Sequence, residues 1–136
     1  MPATQPTPDQ LQRFAREEYD GPIVMVNLLK FRDRAEYASS DPEYGDGASG
    51  RDAYARYAAG VMELSADPNI GIQPIYTAPA HDFLIGEGDW DMVALARYPS
   101  RAHMVRMMSD PRYGKILRHR AAGLFHQDLI ETRPGS

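Results

Sequence analysis

Hydrophobic side chains occupy one short stretch of this chain almost without interruption. Between Gly21 and Phe31 the sequence is GPIVMVNLLKF, and β-branched residues dominate its first half. A run this short, preceded by Gly-Pro, is typical of a strand buried on both faces rather than of a helix. Successive side chains alternate between the faces of a strand, so the two polar members, Asn27 and Lys30, point in opposite directions. We predict a central strand whose lone amide among apolar side chains needs hydrogen-bond partners.

Helical spacing of hydrophobic residues recurs before and after this strand. Capping patterns at residues 7–10 and 49–52 predict a short first helix and a second helix from about Arg51 to Ala66. Pro99-Ser100 begins a further helix, and Asp110-Pro111 both ends it and starts the next one. The inward side of these last two helices is predicted to comprise Met104, Met107 or Met108, Tyr113, Ile116, Leu117, Arg120 and Leu124.

Alternating hydrophobic and polar positions predict three further strands. Residues 71–78 contain two prolines, which favours a strand at the edge of a sheet. Phe83-Leu84-Ile85, a turn at 86–89 and the stretch 90–98 predict a hairpin that leads into a second long strand. The last strand spans roughly Phe125 to Thr132. The predicted long strand places on one face Trp90, Met92, Ala94, Ala96 and Tyr98.

In chain order the main elements are strand, helix, strand, strand, helix and strand, with an added helix in front. This order predicts an α+β, ferredoxin-like βαββαβ fold with an antiparallel sheet and its helices on one face. The strands at 23–29 and 90–98 are apolar on both faces, whereas the helices cover only one. A second copy, packed sheet to sheet by twofold symmetry, is the simplest cover for the other face. We therefore predict a homodimer in which Trp90, Tyr98 or their neighbours are also buried.

Composition limits the classes of function. The chain of 136 residues is predicted to be one domain, with a polar tail at 1–7 and a long loop at 32–49 that is a lid, a mobile segment or a subunit contact. Fifteen basic and nineteen acidic residues give a net charge of -4, which argues against a nucleic-acid surface. The chain has no cysteine and no apolar run long enough for a signal or a membrane span. We expect a cytoplasmic protein that binds no membrane.

Several stretches, taken as a set, resemble a known family. They are GPIVMVNLLKF, DAYARYA at 52–58, WDMVALARYPSR at 90–101, MMSDPRY and HRAAGL, and the match runs from about Thr7 to Thr132. Together they resemble the uncharacterised thirteen-thirty family of domains of unknown function. The resemblance implies a dimeric α/β barrel, in which two ferredoxin-like subunits pair their sheets and small molecules bind between sheet and helices. It implies no particular activity.

The superfamily implied by this resemblance includes cofactor-free monooxygenases and haem-degrading enzymes. The haem degraders use an Asn on the first strand together with a Trp and a His on the second helix. Asn27 is similar to the first of these, but no Trp lies near Arg106 and Met107, and His119 lies beyond Asp110-Pro111. A haem-binding or haem-degrading protein is therefore the weaker alternative, and we expect no cofactor.

Polar and aromatic residues that interrupt apolar elements are the candidates for a functional site. Arg120 falls on an apolar helix face, so we expect its guanidinium to meet a carboxylate, for which Asp91 and Glu131 are the candidates, a carbonyl or a ligand anion. His119 titrates near physiological pH and can act as an acid or a base. Asn27 can orient a substrate carbonyl and completes the predicted catalytic set. The predicted substrate-binding residues are Trp90, Arg97, Tyr98, Tyr57 and Tyr113.

Each candidate also has a purely structural explanation. Arg120 can join helix to sheet as an ion pair, His119 can be a solvated or capping side chain, and Asn27 can satisfy nearby backbone groups. Trp90 and the tyrosines are equally consistent with a core or an interface. The remaining histidines lack ligand spacing, so no metal site is predicted.

Two functions remain open from the sequence. The leading hypothesis is a dimeric α/β barrel that binds a small molecule in the cleft between sheet and helices, with a cofactor-independent monooxygenase or isomerase as its enzymatic form. The rival hypothesis is a non-catalytic module for self-association or partner binding. The first requires the polar candidates to meet in an interior site, and the second does not.

Overall fold

A four-stranded antiparallel sheet is the framework on which the helices pack. The computed structural model describes residues 2–16 and 18–135, so both end residues of the predicted domain lie outside it. The strands are β1 (Ile23–Phe31), β2 (Gln73–Pro79), β3 (Met92–Tyr98) and β4 (Leu124–Thr132). Their order in the sheet is β2-β3-β1-β4. The predicted central position of β1 and edge position of β2 are both confirmed.

Helices precede and connect these strands. They are α1 (Pro8–Arg16), α2 (Gly50–Leu64), α3 (Arg101–Ser109), α4 (Pro111–Gly114) and α5 (Leu117–Gly123). The first begins with the predicted reciprocal cap, because Gln10 N donates to Thr7 Oγ1 at 3.1 Å and Thr7 N donates to Gln10 Oε1 at 2.9 Å. Ser49 caps α2 by accepting from Asp52 N at 3.0 Å. The element order and the strand order together confirm the predicted α+β, ferredoxin-like fold.

Two predicted elements differ from the structure. Residues 83–85 form no strand, because β2 pairs directly with β3 and leaves 80–91 as a loop with positive φ at Gly86 (95°) and Asp89 (54°). Trp90 therefore precedes β3 instead of beginning it. The single helix expected after Pro111 is divided into α4 and α5, next to Gly114, whose helix propensity is low.

The hydrophobic core lies between the helices and one face of the sheet. On β1 it takes alternate residues, with Ile23 and Leu29 fully buried and Met25 5% exposed. Met107 on α3 is 2% exposed, whereas Met108 is 43% exposed, so the inward methionine is Met107. Other buried members of the core clusters are Tyr54, Leu64, Ile70, Ile72, Tyr98, Tyr113 and Leu124.

The opposite side of the sheet, called the outer face below, carries a second apolar surface. Strand alternation and register place on it Val24, Val26, Leu28, Val93, Leu95 and Ile130. These side chains are partly or largely exposed, and none of them joins the hydrophobic clusters formed by residues 2–16 and 18–135. Tyr98 was expected to be buried by a second copy, but it lies on the helix side and is only 5% exposed there.

Two glycines allow α2, α5 and the end of β1 to approach closely. Arg32 N donates to Gly123 O at 2.8 Å, and Gly50 N donates to Arg32 O at 3.1 Å. A Cβ on Gly123 would lie 2.5 Å from Gly50 O and 2.9 Å from Tyr54 N. Both contacts are with backbone, so a side chain at this position has no room.

Candidate functional site

A continuous chain of hydrogen bonds runs from the N-terminal segment to the middle of the sheet. Arg120 Nη2 donates to the Thr4 carbonyl at 2.8 Å and to Gln127 Oε1 at 2.5 Å. Gln127 Nε2 donates to Asn27 Oδ1 at 2.7 Å, and Asn27 Nδ2 donates to the Ala94 carbonyl at 3.2 Å. These five residues are called the Arg120 network below. They supply the partners that the amide of Asn27 requires.

Gln127 is the member of this network that sequence reasoning missed. It lies on β4 opposite Leu29, on the helix side of the sheet, and is 9% exposed. Pairing the last strand with the first in this register would have predicted an internal Gln127, because Leu29 is a core residue. A buried amide with both ends occupied holds Arg120 and Asn27 in fixed positions.

Arg120 has neither of its two predicted carboxylate partners. Asp91 lies 3.4 Å from Lys30, and Glu131 accepts from Arg101 Nε at 2.5 Å and Nη2 at 2.9 Å. Within the part of the chain that the structure describes, Arg120 forms no ion pair, and its hydrogen-bond acceptors are the neutral oxygens of Thr4 and Gln127. Among the described residues, therefore, no carboxylate compensates this half-buried positive charge.

Four tyrosines on the helix side converge near Arg120. The Tyr57 and Tyr113 hydroxyl oxygens are 2.8 Å apart, and the Tyr54 and Tyr57 ring centroids are 5.2 Å apart. Burial raises the pKa of Tyr54 to about 12 and the pKa of Tyr57 well above its ordinary value, while the charge of Arg120 acts on both in the opposite direction. Tyr98 is buried beside them, and burial raises its pKa as well. The phenols of Tyr54, Tyr57 and Tyr98 are therefore neutral near pH 7.

His119 belongs to a separate network under the 32–49 segment. Its Nδ1 lies 2.7 Å from the Tyr37 hydroxyl, which also accepts from Arg56 Nη1 at 3.0 Å. Arg56 is in turn 3.0 Å from Asp46. These contacts are all satisfied when Tyr37 donates to Nδ1, which makes His119 neutral with its proton on Nε2. Tyr37 was not predicted, because its segment shows no periodicity from which burial can be inferred.

The 32–49 segment contains neither helix nor strand and is held against α5. Arg118 Nε and Nη2 donate to the two carboxylate oxygens of Glu43 at 2.8 and 2.9 Å, and this pairing lowers the pKa of Glu43 to about 2. Glu36 N also donates to the Ala122 carbonyl at 3.0 Å. Together with the Tyr37–His119 contact, these bonds join the segment to α5 at several points.

We expect the protein to lose stability as the pH falls from 7 to 5, in part through His119. Burial, reinforced by the charge of Arg118, lowers the pKa of His119, so the unfolded chain binds this proton more readily than the folded one. Its stabilising contribution is therefore complete above the unfolded pKa of about 6.5 and declines below it. The measurement is urea unfolding of the wild type and of His119→Asn, which keeps an acceptor near the Nδ1 position.

The difference in unfolding free energy between these two proteins should narrow steadily as the pH falls. Glu43 is ionised in the folded state throughout this range and is present in both proteins, so its contribution cancels from the difference. A difference that is independent of pH would show that His119 does not titrate between the folded and unfolded states.

The other two predicted residues lie away from the Arg120 network. Trp90 stacks on His126, with ring centroids 5.1 Å apart and planes 16° apart, and Arg97 lies on the outer face by strand alternation. Beside His126 is an open surface cavity of about 350 Å³ lined by Pro2, Lys30, Gly88, Asp89, Phe125 and His126. The structure thus joins Arg120 to Asn27 through Gln127 and packs Tyr57, Tyr98 and Tyr113 in one cluster. His119, Trp90 and Arg97 lie apart from the Arg120 network.

The described residues contain no group of three or more His, Asp or Glu side chains placed to hold a metal ion. No helix in this part of the chain combines the length and the apolar character needed to cross a membrane. His119 does not join the network that contains Asn27, so the haem alternative gains no support from this geometry.

Comparison with solved structures shows that this chain is similar, over almost its whole length, to a protein of known structure. Two crystal structures of the RPA0582 protein, one of them of its methylated form, are 32% identical to this chain; the protein, from Rhodopseudomonas palustris, is described as of unknown function. They cover 97% of this chain and 94% and 96% of their own, with TM-scores of 0.83 and 0.81. No protein-family model matches the chain, and no curated protein matches it.

More distant structures share the fold. A dimeric protein of unknown function with a ferredoxin-like fold from Bacteroides fragilis is 12% identical, covers 84% of this chain and 98% of its own, and has a TM-score of 0.55. A dimeric ferredoxin-like protein of unknown function from Jannaschia is 14% identical, covers 83% and 99%, and has a TM-score of 0.58. These two similarities support the ferredoxin-like fold alone.

Proposed function

This chain belongs to the family of the RPA0582 protein of Rhodopseudomonas palustris, and from that starting point we propose that it binds a small organic anion between its helices and its sheet. The observation that carries the proposal is the uncompensated charge of Arg120. Its guanidinium is half-buried, is held by neutral oxygens and forms no ion pair with a carboxylate of the described residues. An arginine in such surroundings gains most from an anionic partner, because its planar fork matches a carboxylate.

The neighbouring side chains favour a planar organic anion over an inorganic one. Tyr54, Tyr57 and Tyr113 provide ring faces, and their hydroxyls can donate to an oxyanion. The Thr4 carbonyl is the acceptor that a ligand oxygen replaces on Arg120, because Thr4 belongs to the short N-terminal segment and not to the sheet. The proposed ligand is therefore an aromatic or enolic carboxylate that enters beside this segment.

The enzymatic form of this proposal is a cofactor-independent monooxygenase or isomerase. Both reaction classes pass through an enolate or phenolate, whose negative charge must be stabilised without a metal. Arg120 and the tyrosine hydroxyls would supply fixed donors for that charge, and Gln127, itself held by Asn27, would keep the guanidinium of Arg120 in position. His119 is directed to Tyr37 and is given no role in this step.

The proposed protein is a homodimer that pairs its outer faces. The apolar side chains of β1, β3 and β4 on this face have no helix packed against them within residues 2–16 and 18–135. A second sheet in face-to-face packing covers such a surface at a separation of about 10 Å. The ferredoxin-like proteins from Bacteroides fragilis and Jannaschia are described as dimeric, which supports the same arrangement here.

Salicylate and benzoate are expected to raise the melting temperature of the wild-type protein in a concentration-dependent way. Substitution of Arg120 by Gln should weaken this binding about 10- to 100-fold, because a charge-assisted hydrogen bond contributes about 1.5–3 kcal/mol. Thermal shift titrations give the apparent dissociation constants, each measured relative to the same variant without ligand.

Arg97→Gln is the matched control, since it removes the same charge from the outer face and should leave the dissociation constants unchanged. Equal binding by the wild type and by Arg120→Gln would contradict the proposed site. If neither compound shifts any of the three proteins, the rival function gains support: a self-association module whose interior tyrosines are core. The apolar outer face is the specific observation that favours this rival.

A further inference from the structure

The loop between β2 and β3 carries the most exposed large hydrophobic side chains on the described surface. Leu84 is 95% exposed and Ile85 is 90% exposed, and they are adjacent in the chain. We infer that residues 80–91, called the arm below, contact a second copy of this chain, with Leu84 and Ile85 packing against it. The inference rests on the homodimer proposed above and adds to it a contact outside the sheet.

Local hydrogen bonds fix the shape of the arm. Ala80 N donates to the Asp91 carbonyl at 2.9 Å and closes its base, while Phe83 N donates to Asp82 Oδ1 at 2.9 Å near its tip. Gly86 has a φ of 95°, a left-handed conformation that favours glycine. Asp91 N also donates to the Leu29 carbonyl at 2.7 Å and attaches the base to β1. The arm therefore presents its two aliphatic side chains to solvent in a defined position.

The arm contacts residues at the edge of the outer face. Lys30 and His126 are paired across β1 and β4, and alternation places both on the outer face. Asp89 lies 3.2 Å from Lys30 Nζ, and Trp90 stacks on His126. Asp89 keeps a φ of 54° while making this contact, which is uncommon for a residue other than glycine. A molecule that covers the outer face must therefore lie beside the arm.

A second copy of the chain is the occupant that this placement favours. Twofold pairing of outer faces brings each arm to the edge of the partner, so the same contact forms twice in one dimer. Burial of exposed aliphatic side chains is favourable by about 25 cal/mol per Å² of apolar area. Four side chains, two from each arm, would leave water when the dimer forms, and the arms would hold the two sheets together from outside.

Sedimentation equilibrium of the double variant Leu84→Ser with Ile85→Ser tests this inference. We expect its dimer to dissociate at a protein concentration at least 100-fold higher than the wild-type dimer does. The matched control replaces two exposed apolar residues of the helix side, Leu11→Ser with Met62→Ser, and should leave the dissociation constant unchanged. Because all four side chains are exposed in the subunit, neither variant should unfold, and circular dichroism verifies this.

The outcomes separate the arm from the homodimer itself. Suppose that Leu95→Asp disrupts the wild-type dimer while the double serine variant keeps the wild-type dissociation constant. The proposed contact of the arm is then wrong, and the homodimer through the outer faces is supported. If the wild type is a monomer, both the arm contact and the homodimer are wrong.

A fluorescent label on the arm gives a second test. The chain has no cysteine, so Leu84→Cys accepts a single environment-sensitive fluorophore. Its emission should move to longer wavelength on dilution, and emission that does not change with concentration would overturn the inference.

Discussion

Leu95→Asp is expected to convert a dimer into a folded monomer. Leu95 lies on the internal strand β3, opposite Val26 on one side and Tyr76 on the other, at the centre of the outer face. A carboxylate there remains hydrated in the monomer but loses its water when two sheets pack, which costs several kcal/mol if no partner compensates it. We expect the dissociation constant to rise by a factor of at least about 1,000, or about 4 kcal/mol. Sedimentation velocity at several concentrations measures the change.

Leu11→Asp is the control for this substitution, because Leu11 is 52% exposed on α1, whose Phe14 packs against the core on the helix side of the sheet. It should sediment as the wild type does. A dimer of wild-type affinity in the Leu95→Asp variant would place the subunit contact elsewhere. Unfolding of that variant without dissociation would show that Leu95 belongs to the subunit core.

Gly123→Ala is expected to destabilise the protein strongly. The new Cβ would lie 2.5 Å from Gly50 O, and that carbonyl belongs to the first residue of α2 and cannot rotate away. Relief requires a shift between α2 and α5, which also strains the hydrogen bond from Arg32 N to Gly123 O. We expect a loss of about 3 kcal/mol in the free energy of unfolding, at the upper end of the usual overpacking range. Urea titration at pH 7 measures it.

Gly114→Ala provides the comparison, because nothing lies within 4 Å of a Cβ built on Gly114, which ends the short helix α4. Alanine has the higher helix propensity, so this variant should be unchanged or more stable by up to about 1 kcal/mol. Equal effects at the two glycines would mean that helix propensity, and not the close approach of the two helices, governs both positions.

The fold could be predicted from the sequence because it depends on interactions between residues that are close in the chain. Thr7 and Ser49 cap helices with their own side chains, and the alternation within β1 and β4 results from strand geometry alone. The ferredoxin-like order then came from connecting the elements in sequence. Residues 83–85 were misassigned because their hydrophobicity suggests a strand, whereas positive φ angles at Gly86 and Asp89 turn the backbone away from β2 and β3.

The candidate site was less accessible to this reasoning, because it depends on contacts between distant parts of the chain. Helical spacing predicts Arg120 on the inward side of α5. It cannot predict the hydrogen bond to the Thr4 carbonyl, because Thr4 is 116 positions away in the sequence. The same spacing does not show whether a histidine turns toward the sheet or toward a loop, and His119 contacts Tyr37. Gln127 required the register of β4 against β1, which follows from the folded sheet.

The two borders of the sheet have a consequence for aggregation. Pro74 and Pro79 each remove one amide donor from the edge strand β2. On the other edge strand, β4, Gln127 N donates to the Ala3 carbonyl at 2.8 Å, and Ala3 N donates to His126 Nδ1 at 2.8 Å. Unpaired borders of a sheet are the usual template for uncontrolled growth into fibres. Because neither edge strand offers a full set of free backbone groups, we expect the protein to stay unpolymerised at high concentration despite the apolar outer face of its sheet.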